Sequence, residues 1–78
     1  MEEEIKEILA ELLENEEVKE IGLEEDLINY GLDSLHAIEL VVSLEEKYSI
    51  TFEEEDLLLE KISSMDKIIG TVQKYQNM

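Results

Sequence analysis

The sequence contains no cysteine and no proline, and its 78 residues include three glycines and one histidine. Without cysteine the chain has no disulfide framework and no thiolate metal site. No apolar run approaches the roughly 20 residues that a membrane-spanning helix needs. No linker rich in proline, glycine or serine interrupts the chain. We therefore expect residues 1–78 to form a single, stand-alone domain.

Basic residues are also scarce: six Lys and Arg face 22 Asp and Glu, and the formal net charge is -16. Such a charge repels phosphate backbones and anionic membranes, so we expect neither nucleic acid nor a membrane as a partner. Proteins with basic surfaces are the expected partners. The chain opens with Met1 and three glutamates, not with a basic, apolar signal segment, and we expect a cytoplasmic monomer.

The acidic residues do not follow the spacing of a calcium loop. An EF-hand needs D-x-[DN]-x-[DN]-G with a glutamate at its twelfth position, and that pattern does not occur. We interpret the acidic clusters at residues 2–4 and 53–56 as solvated charge and predict no metal site. A chain of this length with 44% hydrophobic residues can form one small core, and a deep catalytic cleft is not expected.

Three segments have the apolar spacing of amphipathic helices, and a fourth, shorter helix is predicted between the second and third. The last helix is expected to start at Ser63, because Ser63 and Asp66 fit a capping box. In the short helix Leu57 and Leu58 are expected to face inward. The predicted helices are residues 3–15, residues 34 to 47 or 48, residues 54–60, and a last helix whose buried positions are Met65, Ile68, Ile69, Val72 and Tyr75.

Residues 16–33 hold no regular period, and Gly22 and Gly31 interrupt them. We predict a long first loop that leads directly to Ser34, and a loop of such length is uncommon unless it has a function. The predicted fold class is all-α: a four-helix bundle with three principal helices, one short helix and this loop. The apolar anchors expected to pin the loop to the core are Val18, Ile21, Leu23, Leu27, Ile28 and Leu32.

Ser34 is the residue most suggestive of function, because it lies where the second helix begins. Unpaired backbone N–H groups and the positive end of the helix dipole suit a covalently held phosphate there. On position alone, a serine here is more typical of a simple N-cap than of a modified residue. A hydrolase triad of Asp33, Ser34 and His36 is not expected, because residues i and i+2 of a helix point to different sides. His36 is expected to be an exposed surface residue.

The run Gly31-Leu32-Asp33-Ser34-Leu35, followed by His36-Ala37-Ile38-Glu39-Leu40, resembles the phosphopantetheine site of acyl and peptidyl carrier proteins. The likeness continues through residues 41–48, the short acidic segment and residues 61–64, and the order of the helices fits across nearly the whole chain. The resemblance implies that a separate transferase esterifies Ser34 with 4'-phosphopantetheine from coenzyme A. Asp33 and Leu35 are then its recognition context, and the chain is a carrier without catalytic activity. In many fatty-acid carriers an acidic residue follows the Asp-Ser-Leu triplet, and His36 departs from that pattern.

A second apolar stripe on the predicted second helix lies roughly 100 to 160 degrees around the helix axis from the core stripe. It is open to two interpretations: extra core beneath the first loop, or a docking surface for partner enzymes. For docking, glutamates beside the stripe are expected to meet basic patches on the partner. The predicted docking residues are Leu35, Ile38, Glu39, Val42, Glu45 and Glu46.

Two functions stay open on the sequence. The first is a carrier that holds fatty acyl, polyketide, aminoacyl or peptidyl groups as thioesters and delivers them to biosynthetic enzymes. The second is an unmodified, acidic, helical interaction module in which Ser34 only caps a helix. The sequence does not distinguish among the four kinds of cargo.

Overall fold

The computed structural model describes residues 1–77 as three α-helices connected by segments that contain four short 3₁₀ turns, with no strand in that range. The all-α prediction and the three principal helices are therefore confirmed. The helices are α1 (Glu2–Leu13), α2 (Ser34–Tyr48) and α3 (Met65–Gln76), and the 3₁₀ turns are Glu16–Glu20, Leu27–Tyr30, Glu54–Asp56 and Leu59–Lys61.

Helix α1 begins with glutamates in its first turn, where the positive end of the helix dipole favours negative charge. It ends two residues before the predicted boundary, because Glu14 adopts a left-handed conformation (φ 53°) and donates its N–H to the Ala10 and Glu11 carbonyls. Lys47 at the end of α2 lies 3.2 Å from the Glu4 carboxylate. This contact lowers the pKa of Glu4 and links the two helices.

The first loop is more ordered than the sequence predicts, because it contains two 3₁₀ turns that side chains cap. Asn15 Oδ1 accepts the Glu17 N–H (3.0 Å), and Asp26 Oδ1 accepts the Ile28 N–H (2.9 Å). The second turn ends at Gly31, whose φ of 107° is a conformation that favours glycine.

Of the six predicted loop anchors, Leu23 and Ile28 are exposed, and the prediction was wrong for these two. In a 3₁₀ turn successive residues lie about 120 degrees apart, so with Leu27 buried Ile28 points outward. Leu23 contributes its backbone instead, since its carbonyl accepts the Asp66 N–H at 3.0 Å. The four buried anchors are Val18, Ile21, Leu27 and Leu32.

The predicted short helix over residues 54–60 is replaced by two 3₁₀ turns, and Leu57 and Leu58 are exposed. The buried residue of this segment is Asp56, which is 5% exposed. The Tyr75 hydroxyl and Lys74 Nζ both donate to its carboxylate, so burial leaves the charge hydrogen-bonded. With Asp56 facing inward, the next two residues turn towards solvent.

Helix α3 begins at Met65 with Ser64 as its N-cap, so the capping box predicted for Ser63 and Asp66 was wrong. The Ser63 carbonyl accepts the Leu27 N–H at 2.7 Å, and this pairing with the first loop holds Ser63 outside the helix. Asp66 instead accepts the hydroxyl of Ser64. The predicted buried face is confirmed, with Ile69 partly buried and with Met65, Ile68, Val72 and Tyr75 buried.

The helices enclose one cluster of buried apolar side chains, to which the connecting segments also contribute. Phe52 and Ile62 belong to the segment that connects α2 to α3. Both are buried, although the sequence analysis did not place them in the core. Within residues 1–77, none of the helices is long and apolar enough to cross a bilayer.

Candidate functional site

Helix α2 starts at Ser34 because Asp33 caps it. Asp33 has an extended backbone (φ -134°, ψ -176°), and its Oδ1 accepts the N–H of His36 at 2.9 Å. Ser34 is the first helical residue, is exposed and does not serve as the cap. The interpretation of Ser34 as a simple N-cap is therefore wrong.

The His36 ring turns back towards the cap, and its Nδ1 lies 2.8 Å from the same Asp33 oxygen that accepts the His36 N–H. An ionised carboxylate only accepts hydrogen bonds, so Nδ1 carries the proton and donates to Asp33. The pKa of Asp33 lies below its ordinary value, chiefly because the His36 N–H donates to the carboxylate and then because the ring does. His36 is therefore a partly exposed partner of Asp33, a role that its sequence spacing of three residues could have indicated.

The first turn of α2 presents backbone N–H groups next to Ser34. The first intrahelical bond runs from the Ala37 N–H to the Asp33 carbonyl at 2.8 Å, and the His36 N–H is taken by the Asp33 side chain. N–H groups of a first helical turn, together with the helix dipole, favour an anion at that end. The exposed Ser34 hydroxyl can thus bear a phosphate without disturbing the cap.

The second apolar stripe of α2 faces solvent: Leu35, Ile38 and Val42 are between 48% and 65% exposed. The interpretation of this stripe as extra core is therefore wrong. Glu39 and Glu46 are exposed on the same helix. An apolar surface flanked by carboxylates beside Ser34 stays available for a partner.

An apolar slot of about 160 Å³ lies between this stripe and the segment that follows α2. Ser34 and the α2 residues of the slot follow the spacing i, i+4, i+7, i+8 and i+11, which places them on one side of the helix. The side chains that line the slot are Ile38, Val41, Val42, Glu45, Phe52 and Leu57.

Glu45 differs from the other glutamates that were predicted to dock partners. It is partly buried, and its Oε2 accepts the backbone N–H of Phe52 at 2.9 Å. The Glu45 carboxylate therefore holds the start of the following segment against α2.

A hydrogen-bonded network that the sequence analysis missed joins the backbone N–H of Glu53 to the side chains of Asp56, Lys74 and Tyr75. We call this network the clamp. Tyr75 donates its hydroxyl hydrogen to Asp56 Oδ2 and accepts the Glu53 N–H at 2.9 Å, while Lys74 Nζ donates to the same Asp56 oxygen at 2.9 Å. The Tyr75 hydroxyl and then Lys74 lower the pKa of Asp56, whereas burial raises the pKa of Tyr75. The Phe52 ring stacks on Tyr75 with centroids 5.1 Å apart.

Comparison with known proteins bears directly on the Ser34 region. Residues 3–71 match a protein family described as the phosphopantetheine attachment site. The acyl carrier proteins of Buchnera aphidicola subsp. Acyrthosiphon pisum, strains Tuc7 and APS, are each 35% identical to this chain over 74 residues, which cover 95% of the chain and 90% of each relative. The similarity therefore includes the start of α2, the slot and most of α3.

Proposed function

The chain belongs to the acyl carrier protein family, whose members have no catalytic activity of their own, and we propose that Ser34 is the residue through which it holds 4'-phosphopantetheine. The observation that carries this proposal is the exposed hydroxyl of Ser34 at the first position of α2, where Asp33 supplies the cap. Ser34 also lies inside the matched range of the family.

The residues around Ser34 fit the cofactor that the family carries. Phosphopantetheine, transferred from coenzyme A by a transferase, supplies a terminal thiol on which acyl groups are held as thioesters. Asp33 fixes the turn through its bonds to His36, and the positive end of the α2 dipole favours a phosphate on Ser34. Leu35 offers an exposed apolar contact to the transferase. The thiol must come from the cofactor, because the chain has no cysteine.

We place acyl groups first among the cargoes, because the relatives are acyl carrier proteins and the slot is apolar. A cavity of roughly 150 Å³ accommodates benzene, so a slot of about 160 Å³ suits a short apolar group. Fatty-acid and polyketide types of biosynthesis use such groups. Aminoacyl and peptidyl cargoes are the second possibility, which the loading enzymes encoded with this chain would decide. The proposed carrier is monomeric and cytoplasmic, and its net charge of -16 opposes self-association.

Intact mass spectrometry tests the attachment site. The purified protein is incubated with coenzyme A and a promiscuous phosphopantetheinyl transferase, and we expect a mass gain of one phosphopantetheine. Ser34→Ala should abolish the gain, whereas Ser43→Ala, a matched change later on α2, should retain it. A folded wild-type protein that gains no mass would contradict the proposal and favour an unmodified interaction module.

Partner docking is proposed for the exposed stripe of α2 and its flanking carboxylates. Opposite charge on the partner accelerates encounter more than it tightens the complex. Glu39→Lys and Glu46→Lys should therefore slow phosphopantetheine transfer at low salt while leaving the circular dichroism unchanged. Glu7→Lys on α1 is the matched control, because it reverses the same charge away from Ser34. Equal transfer rates in all three variants would rule out this surface.

Glu45 is a poor probe of docking even though it belongs to the predicted surface. Its carboxylate accepts the Phe52 N–H, so charge reversal there removes a structural hydrogen bond as well as a surface charge. We propose that Glu45 supports the docking surface chiefly by holding residue 52 beside α2.

A further inference from the structure

The clamp holds both ends of the Glu54–Asp56 turn to the last part of α3. At the beginning of the turn, the Glu53 N–H donates to the Tyr75 hydroxyl at 2.9 Å. At its end, Asp56 accepts from Tyr75 and from Lys74. One tyrosine hydroxyl therefore connects the two ends, and the carboxylate that it bonds is nearly inaccessible to solvent.

The residues that flank the clamped turn form one side of the slot. Phe52 lies just before the turn and Leu57 just after it, and these two residues face Ile38 and Val42 of α2 across the slot. The turn itself has only short-range backbone bonds, from the Asp56 N–H to the Glu53 carbonyl and from the Leu57 N–H to the Glu54 carbonyl. These bonds do not determine its distance from α2.

Contacts outside the turn determine that distance. The Phe52 N–H is bound by Glu45 of α2, and the Phe52 ring stacks on Tyr75. The bonds of Tyr75 and Asp56 tie the turn to α3, and Glu45 ties Phe52 to α2. Breaking the bonds of Tyr75 and Asp56 would leave the turn without a polar contact to α3, and the Glu45–Phe52 bond would hold only the start of the segment. The side of the slot that Leu57 forms would then be free to move.

Ser34 lies on the same side of α2 as the residues that line the slot, and it stands at the beginning of the helix. Ile38 follows it by four residues, which is about 6 Å of rise along the helix axis. A flexible arm that leaves Ser34 therefore starts about one turn from the slot, within easy reach of its apolar lining.

We propose that Asp56 and Tyr75 are positioning residues that fix the width of the slot and so determine which acyl groups are sheltered beside Ser34. The inference rests on the proposed carrier function. Neither residue takes part in thioester chemistry; both act by holding Phe52 and Leu57 at a set distance from α2. With the clamp intact, the slot shelters an acyl group of about benzene size, and release of the clamp exposes that group to solvent.

The first test uses the unmodified protein and so does not depend on the carrier function. Amide hydrogen exchange is measured by mass spectrometry on wild type, Tyr75→Phe and Asp56→Asn. Both variants should exchange residues 52–57 about tenfold faster, as expected when a hydrogen bond to a charged group is lost, with α1 and α2 still protected. Lys67→Gln is the control, because Lys67 lies on the same helix but donates to the Glu60 carbonyl. Unchanged exchange at residues 52–57 in both variants would overturn the proposal.

The second test follows the cargo. Hexanoyl and acetyl groups are loaded on the modified protein, and hydroxylamine cleavage of each thioester is measured relative to the same acyl pantetheine in solution. Wild type should protect the hexanoyl thioester more than the acetyl one, and both clamp variants should lose only the extra hexanoyl protection. A purely structural role would leave the ratio of the two protections unchanged, and that result would also overturn the proposal.

The two tests separate failure of the inference from failure of the carrier function. If wild type takes up no phosphopantetheine, the carrier function fails, and the sheltering of an acyl group fails with it. The exchange measurement then still decides whether the clamp holds residues 52–57. Normal modification with an unchanged protection ratio would leave the carrier function intact and reject the clamp as its determinant.

Discussion

Two aspartates in this chain hold backbone turns in different ways. Asp33 is exposed and bonds the N–H and the ring of His36, three residues away in the sequence. Asp56 is buried and bonds Lys74 and Tyr75, which are 18 and 19 residues away. The first contact starts a helix, whereas the second fixes a turn against a distant helix.

The difference separates local from tertiary information. The Asp33 turn follows from a polar residue placed just before an amphipathic run, which is a standard helix start. The Asp56 turn follows from contacts that exist only once α3 has packed. We therefore expect changes at Asp56 to cost more stability than changes at Asp33.

The largest effect should come from Asp56→Asn. This change keeps the side-chain size but removes the charge that Tyr75 and Lys74 bond, and we expect a loss of about 1.5–3 kcal/mol in the free energy of unfolding. The measurement is urea denaturation followed by circular dichroism. Glu55→Gln, the exposed neighbour, is the control and should stay within about 0.5 kcal/mol of wild type. If Asp33→Ala loses more unfolding free energy than Asp56→Asn, the expectation that Asp56 contributes more stability than Asp33 is wrong.

The same difference explains what could be predicted from the sequence. The start of α2 at Ser34 and the carrier family were predicted from residues 31–40, and both are confirmed. Leu57 and Leu58 were assigned inward because leucines usually set the buried face of a helix. An aspartate takes the buried position instead, and its partners lie on another helix, so no local pattern could indicate it.

Two tyrosines allow a finer test of the role of buried hydroxyl groups. The Tyr75 hydroxyl bonds two groups, whereas the buried Tyr48 hydroxyl has no partner among residues 1–77. Tyr75→Phe should cost about 1–2 kcal/mol, because it leaves a carboxylate and an N–H short of a partner. Tyr48→Phe should be neutral or stabilising by up to about 1 kcal/mol, because it removes a hydroxyl without a partner. Equal losses of unfolding free energy for the two variants in urea denaturation would contradict the hydrogen bonds assigned to Tyr75.

The pH dependence of stability should report the Asp56 contact. The Tyr75 hydroxyl and Lys74 hold the pKa of Asp56 below its ordinary value, with a further contribution from the charge of Lys61. A lowered folded-state pKa gives stability that is fully present above the unfolded pKa of about 3.9 and is lost as the pH falls through the folded pKa. The difference in unfolding free energy between wild type and Asp56→Asn should therefore be constant from pH 7 to 5 and shrink below pH 4. A difference that persists unchanged at pH 3 would argue against an ionised Asp56.

Salt should produce the smallest and most selective effect. Screening of the -16 net charge should raise the melting temperature of wild type, since self-repulsion destabilises the compact state. The Asp33–His36 contact is exposed, so the interaction of the Asp33 charge with the start of α2 should be screened as well. The stability difference between wild type and Asp33→Asn should therefore shrink between about 0.01 and 1 M salt. The difference for Asp56→Asn should shrink less, because the Asp56 carboxylate and its bond from Tyr75 are buried. Thermal melts of the three proteins across that salt range measure both differences, and a parallel decrease would mean that the two aspartates are held in the same way.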